Sequence, residues 1–312
     1  MNAERYTAFV IAAAALLIAA CTSSEAAAPS AASEQVAEAA AASAPVAEVE
    51  AAPPAPAPPA QPPRAVFEGE LTQGGFITGT LPEGTVSAAL GEQEIAMSED
   101  RAFFAAFDRD SPASLLLTIT LESGEIVEQM ISISPRNWDI ERVNVARRPG
   151  GASESFMRRR QPELDAIWDA RQRETGATGW QQDFIWPVTG RISGRFGRQR
   201  IYRGEPGSYH SGIDIAPGNG VPFVAPADGV VVLARTGFSL EGGLIIIDHG
   251  AGLNSAFLHA SRIVVEEGQA VRQGQHIGNV GATGRATGPH LHWSLKWHLA
   301  RLDPLLFTGP MP

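Results

Sequence analysis

Two short stretches of the chain carry residues that could do chemistry together. In Gly288-Pro289-His290-Leu291-His292-Trp293, two histidines stand two apart. They head a run, Leu291-His292-Trp293-Ser294-Leu295-Lys296-Trp297, that reads as a strand. Alternate side chains of a strand share a face, so His290 and His292 project together. Two neutral imidazoles on one face are half of a metal site. The same spacing also occurs in surface pairs and in satisfied core pairs, so its meaning depends on what else meets it. In Tyr209-His210-Ser211-Gly212-Ile213-Asp214, a histidine and a carboxylate stand four apart. Gly212 between them disfavours a helix and puts the pair on a turn that enters a strand. Asp beside His is often a hydrogen-bonded pair with no metal. Taken with His292, however, the pair supplies two nitrogens and one carboxylate oxygen. Three protein ligands with water in the fourth position is the arrangement of a catalytic zinc site, whereas structural sites are closed by four.

Short strands must position these groups. Residues 229–233, 244–247, 254–259 and 290–297 are β-rich and separated by glycine-rich turns, from Trp186-Pro187-Val188 to about Phe307. This pattern predicts a folded-over antiparallel sheet. In 254–259, positions 255, 257 and 259 share a face, which carries His259. His249 follows Ile247-Asp248, is expected in a turn, and reads as a structural or supporting residue; His276 and His298 have no partner pattern. The glycines from 281 to 288 are no phosphate loop, because no Lys-Ser/Thr follows. They suit the wall of a groove that a substrate backbone approaches closely.

Upstream, residues 162–175 read as a helix with Pro162 in its first turn, a stripe of Leu164, Ile167 and Trp168, and Gly176 as its stop. Arg158, Arg159 and Arg160 precede it, as a solvated or acid-paired face or as contacts to a phosphate or acidic surface. From Val66 to Val145 the pattern is period two. Leu115, Leu117, Ile119 and Leu121 alternate with other residues, Glu122-Ser123-Gly124-Glu125 turns, and Ile131 and Ile133 resume. Further turn signals lie at Leu81-Pro82-Glu83-Gly84-Thr85 and Ala89-Leu90-Gly91-Glu92. This predicts a small β-sandwich with Phe103, Phe104 and Phe107 in its core. It contains no cluster of chemical groups. A docking or wall-binding module and a spacer are equally compatible with it.

The 312 residues carry a net charge of −10 and one cysteine. The acidic balance argues against nucleic acid as the partner. One cysteine excludes a disulfide framework and a cysteine-rich zinc site, and the helical His-Glu-x-x-His motif does not occur. The apolar run from Ala8 to Ala20 is too short to span a membrane, which takes about 20 residues, but has the size of a signal-peptide core. It ends Leu17-Ile18-Ala19-Ala20-Cys21, which resembles a bacterial lipobox. That resemblance implies cleavage before Cys21 and a lipid anchor on it. A plain secretory signal is the alternative. The following Ala/Pro-rich stretch has no aromatic residue and a polyproline-like end, as expected of a disordered tether with a reach on the order of 100 Å.

The expected division is therefore a leader at 1–20, a tether at 21–64, a sandwich at 65–145, a linker and helix at 146–179, and the site-bearing unit at 180–312. That last unit resembles the LytM/lysostaphin-type metallopeptidases, peptidase family M23. The resemblance rests on His210-x-x-x-Asp214, His290-x-His292, Gly212-Ile213-Asp214-Ile215-Ala216, Ala225-Pro226-Ala227-Asp228-Gly229-Val230-Val231, and Gly281-Ala282-Thr283-Gly284-Arg285-Ala286-Thr287-Gly288-Pro289-His290-Leu291-His292. It implies a mainly β fold of duplicated-hybrid-motif type, with zinc held by His210, Asp214 and His292. It also implies catalytic histidines at 259 and 290, with the split between base and oxyanion partner left open. Phe257 stands where the family usually has tyrosine, which removes a hydroxyl but no ligand. The expected function is a zinc endopeptidase that cuts peptide cross-links of peptidoglycan from a lipid anchor in the periplasm. The outer membrane is preferred over the inner because Thr22, not Asp, follows Cys21. Its partners would be peptidoglycan stem peptides and the membrane, with a cell-wall amidase or division proteins as further candidates. A non-catalytic activator of a wall amidase is the alternative, and a zinc peptidase acting on glycine-rich proteins is a third reading. The presence of all five site residues speaks against the activator.

Overall fold

Strand periodicity in the N-terminal region closes into two small sheets. This computed structural model describes residues 62–146 and 153–312. The leader, Cys21 and the tether up to residue 61 lie outside the described residues, as do 147–152. One sheet orders Val66–Gly69, Phe76–Thr80 and Ala102–Ala106; the other orders Gln93–Glu94, Thr85–Leu90, Ser114–Leu121 and Ile126–Ser132. Leu117 and Ile119 alternate inward on Ser114–Leu121, and Gly124, at φ 82°, turns the chain into the next strand. Phe103, Phe104 and Phe107 are all buried, with Phe104 turned toward Trp297 and Phe307 of the C-terminal region (ring centroids 6.4 and 6.3 Å). Ile140–Val143 leaves the sandwich and pairs in parallel with Gln199–Tyr202 of the C-terminal region.

The C-terminal region is a long antiparallel sheet. Its order is Ala270–Val271, Gly229–Phe238, Gly242–Gly250, Leu253–Leu258, Leu291–Trp297, Ile213–Ala216 and Arg191–Gly194, with Ala300–Leu302 also paired to Leu291–Trp297. Pro222–Val224, His276–Asn279 and Arg262–Ile263 form a second, three-stranded sheet. Ile213, Ile245, Ile247, Phe257, Trp293 and Leu295 line one face of the long sheet and belong to the same apolar core as the sandwich. The opposite face, with Leu244, Ile246 and Ala256, packs under the helix. Gly242–Gly250 is buried along its whole length, so its residues 244–247 form a continuous apolar run where a half-exposed strand would alternate. His249 therefore lies in a strand, not in the expected turn.

The helix also departs from expectation. It spans Glu154–Arg171, two turns earlier than predicted, because Ser153 accepts a bond from the Phe156 amide (3.2 Å) and Glu154 suits the positive N-terminus. Pro162 sits inside it and has no N–H to offer the Arg158 carbonyl. The three arginines are helical, and Gly176 lies beyond the end at Gln172. The docked face is Arg160, Glu163, Ile167 and Ala170, whereas Leu164 and Trp168 are 38% and 52% exposed. What selects this face is ionic. Buried Arg160 forms a bidentate pair with Glu241 (2.6 and 2.6 Å) and also bonds Glu163 (2.8 Å). Glu163 in turn accepts from the Ser239 amide and hydroxyl.

Candidate active site

Adjacent strands put the polar groups side by side. Asp214 pairs in register with His292, and His292 with Leu258, so three neighbouring strands meet at one level. His210 comes from the loop before Ile213–Ala216 and is clamped by the turn at Arg195 to Arg198. Its N–H donates to the Arg198 carbonyl (2.9 Å), its carbonyl accepts from Gly197 (2.9 Å), and its Nδ1 faces the Arg195 carbonyl (3.1 Å). Gly194 is required beside this turn, since a β-carbon there would collide with the Asp214 carboxylate and the His210 ring.

Three donor atoms converge. His210 Nε2 lies 3.0 Å from Asp214 Oδ1 and 3.1 Å from His292 Nδ1, and His292 Nδ1 lies 2.9 Å from Asp214 Oδ1. With His210 Nδ1–H given to Arg195, Nε2 turns a lone pair inward. Neutral His210, His292 Nδ1 and the carboxylate then offer one another three lone-pair atoms that a cation can take up. Two imidazole nitrogens and one carboxylate oxygen are a fitting donor set for zinc. Burial pushes the Asp214 carboxyl up, but bonds with His210 and His292 and their charges outweigh it and hold it far below the usual carboxylate range. Burial pulls His210 down, yet Asp214 and the Arg195 carbonyl raise it above its ordinary value. Burial lowers His292 and His259.

His259 and His290 face the same point. His290 Nε2 is 3.7 Å from Asp214 Oδ1, and its Nδ1 donates to the Gly288 carbonyl (2.8 Å). His259 stacks at a tilt on His290, with ring centroids 4.7 Å apart, and its Nδ1 donates to the Thr283 carbonyl (2.8 Å). Both rings thus present Nε2 to the donor cluster. His259 does not share the face of Ser255 and Phe257, as strand alternation had suggested. Phe257 stacks on Phe223 in the core (5.6 Å), and the strand ends at Leu258. A φ of 68° at His259, with its N–H on the Glu241 carbonyl (2.8 Å), swings the ring across to the site. Left-handed backbone in a non-glycine residue is costly and persists only where its surroundings impose it.

The backbone carbonyls of Arg195, Thr283 and Gly288 orient three of the four rings and left no side-chain signal in the sequence. The other histidines stand apart. His249 is buried against the Asp228 carbonyl (2.7 Å) and Ser255 Oγ (2.8 Å), and His276 bonds the Gly278 carbonyl (3.0 Å). A cavity of about 770 Å³ opens beside His210, lined by Arg198, Tyr202, Ser208, Tyr209 and, from the glycine-rich wall, Arg285.

Residues 208–304 match Peptidase family M23. Over 227 residues the chain is 31% identical to the peptidoglycan DD-endopeptidase ShyA of Vibrio cholerae, covering 67% of this chain and 50% of that protein. It is 37% identical over 129 residues to the lipoprotein NlpD/LppB homolog of Pseudomonas aeruginosa, covering 41% of this chain and 39% of that one. The crystal structure of a Pseudomonas aeruginosa protein described as a peptidase M23 superposes with a TM-score of 0.61 at 28% identity, covering 77% of this chain and 96% of that one. The C-terminal region of the chain thus carries a peptidase family M23 domain. The chain spans about half the length, or less, of these curated relatives.

Proposed function

We propose that this chain is a zinc-dependent endopeptidase of the cell envelope that hydrolyses peptide cross-links of peptidoglycan. The observation that carries the reading is the convergence of His210, Asp214 and His292 on one point, with His259 and His290 turned onto it. His210 Nε2, Asp214 Oδ1 and His292 Nδ1 would hold zinc, which when bound supplies hydroxide near neutral pH and polarises the scissile carbonyl. His259 and His290 supply the proton traffic. Each has Nδ1 committed to a backbone carbonyl, so Nε2 is the atom that accepts a proton from water and returns it to the leaving amine. Burial keeps His259 below its ordinary value, hence neutral and able to accept at pH 7. The cavity beside His210 gives a peptide room to lie across the site.

The substrate class is supported by the named activity of the Vibrio relative and by the family match. Lipidation of Cys21, periplasmic location and attachment to the outer membrane complete the proposal, with the 21–64 tether as the leash. The test is digestion of purified peptidoglycan with mass analysis of the fragments. Cross-linked dimers should fall to monomers whose peptides are cut, a chelator should stop the reaction, and zinc should restore it. Zinc-loaded protein that leaves every cross-link intact would refute the endopeptidase.

A further inference from the structure

The sandwich has no chemical cluster of its own, yet one of its side chains reaches the metal-ligand turn. Arg109 follows Ala102–Ala106 and is 5% exposed. Its Nη2 donates to the Gly197 carbonyl (3.1 Å) and to Gln199 Oε1 (3.1 Å). Its guanidinium lies 4.5 Å from the Tyr209 ring centroid and 5.1 Å from that of Trp138, which sandwich it. Gln199 passes the contact on by donating to the Gly207 carbonyl (2.8 Å). Gly197 and Tyr209 are the residues that bracket His210: the Gly197 amide holds the His210 carbonyl, and Tyr209 precedes His210 in the chain. The turn is also shaped to fit its support. Gly197 has φ 80°, and a β-carbon there would collide with the Trp138 ring. A buried arginine costs several kcal/mol in desolvation unless its bonds and stacking are good. Arg109 meets that cost with Asp110 on Nη1 (2.6 Å), although Nε has no partner among the described residues.

We propose that Arg109 is a positioning residue for the metal centre: it clamps the Arg195-to-Arg198 turn and Tyr209 so that the His210 ring is presented at the angle the metal needs. The N-terminal sandwich then serves as the outer support of the ligand set, contributing through Arg109 although it holds no ligand. This inference rests on the zinc reading of the site. Groups that orient a metal ligand typically change metal affinity about 10- to 100-fold when removed. Lysine cannot replace Arg109, because it lacks the planar fork that spans Gly197 and Gln199 and stacks between two rings.

The experiment compares full-length wild type with Arg109→Lys, Arg109→Gln and Asp303→Asn. Asp303 pairs with Arg136 (2.8 Å) across the same inter-region contact and has no hydrogen bond to the 195–210 segment among the described residues, while Arg136, which stacks on Trp138 (4.5 Å), is kept in this variant. Zinc affinity is measured by chelator competition, the visible spectrum after cobalt substitution reports ligand geometry, and thermal unfolding reports stability. Both Arg109 variants should lose about 10- to 100-fold in zinc affinity and show an altered cobalt spectrum, while Asp303→Asn loses stability alone. Gly197→Ala, which pushes the turn off Trp138, should reproduce the Arg109 effect if the Arg109 variants fold poorly. Arg109 variants with wild-type zinc affinity and an unchanged cobalt spectrum would overturn the proposal and leave Arg109 as interface glue. A wild-type chain that takes up no zinc would overturn the metal reading itself, and the positioning role with it.

Discussion

The two β regions are built from similar strands but differ in what they bury. The sandwich closes over Ile77, Phe103, Phe104, Phe107, Leu117 and Ile119, and its buried polar residues among those described are Thr85 and Arg109. The C-terminal sheet buries Asp248, His249, Asn254, Ser255, His259, His292 and Ser294 beside its apolar core. Buried polar groups are tolerated where partners satisfy them. Asp248 accepts from the Thr175 amide and hydroxyl, His249 is held from both sides, and Asn254 accepts from Arg171. The cluster of His210, Asp214 and His292 stands out because its three donor atoms converge on one another and match the donor set of a metal site. An apolar pattern makes a core, and polar groups whose donor atoms converge make a candidate site. Arg109, the one buried charge of the sandwich, reaches out of its own region to serve the other.

Substitutions on the two sides should break different properties. His259→Ala is expected to retain zinc and lose about 10²- to 10⁴-fold in kcat, read by peptidoglycan digestion beside metal analysis, since it removes a proton carrier and leaves all three ligands. Phe103→Ala in the sandwich should cost about 3–5 kcal/mol in urea unfolding and leave the zinc affinity of the folded protein unchanged. A loss of zinc there would show that the sandwich core, and not Arg109 alone, holds the ligand turn.

Acid should strike the C-terminal sheet through its buried polarity. Burial holds His249 down at about 4, against an ordinary value of 6.5. As pH falls below about 6.5 the unfolded chain takes up a proton that the folded chain refuses, so stability is full above that pH and is lost down to about pH 4. The shift amounts to roughly 3 kcal/mol. Urea titrations at pH 7 and pH 4.5 should therefore differ less for His249→Gln than for wild type. Ser153→Ala marks the small end. Losing the cap of the helix should cost about 1 kcal/mol, without effect on zinc.

How far these features could be read from the sequence follows from their range. The pairs His210/Asp214 and His290/His292 were legible because strand alternation and a four-residue spacing are local rules, whereas joining the two pairs, 78 and 82 residues apart, rested on their donor chemistry and on the resemblance to family M23. Phe103, Phe104 and Phe107 were legible as core because large aromatic side chains in a region without chemical clusters are usually buried. The helix was misplaced because Pro162 imitates a first-turn signal, whereas Ser153 and the Arg160–Glu241 pair decide its start and its docked face. Glu241 is 81 residues away from Arg160, beyond any periodicity. His259 was assigned to the site-bearing unit on a strand face, but its ring reaches the site by leaving the strand through a left-handed turn. No alternation rule contains such a turn. Arg109 gave no signal because its partners are a backbone carbonyl and rings brought together only by the fold.

The proposed endopeptidase requires His210, Asp214 and His292 to hold zinc. The most direct measurement determines zinc content and fragment release in one preparation, for wild type and for His210→Ala. About one zinc per chain with chelator-sensitive cleavage is expected in the wild type, and neither in the variant. Zinc and cleavage that persist in His210→Ala, or a folded wild-type chain that binds none, would contradict that expectation.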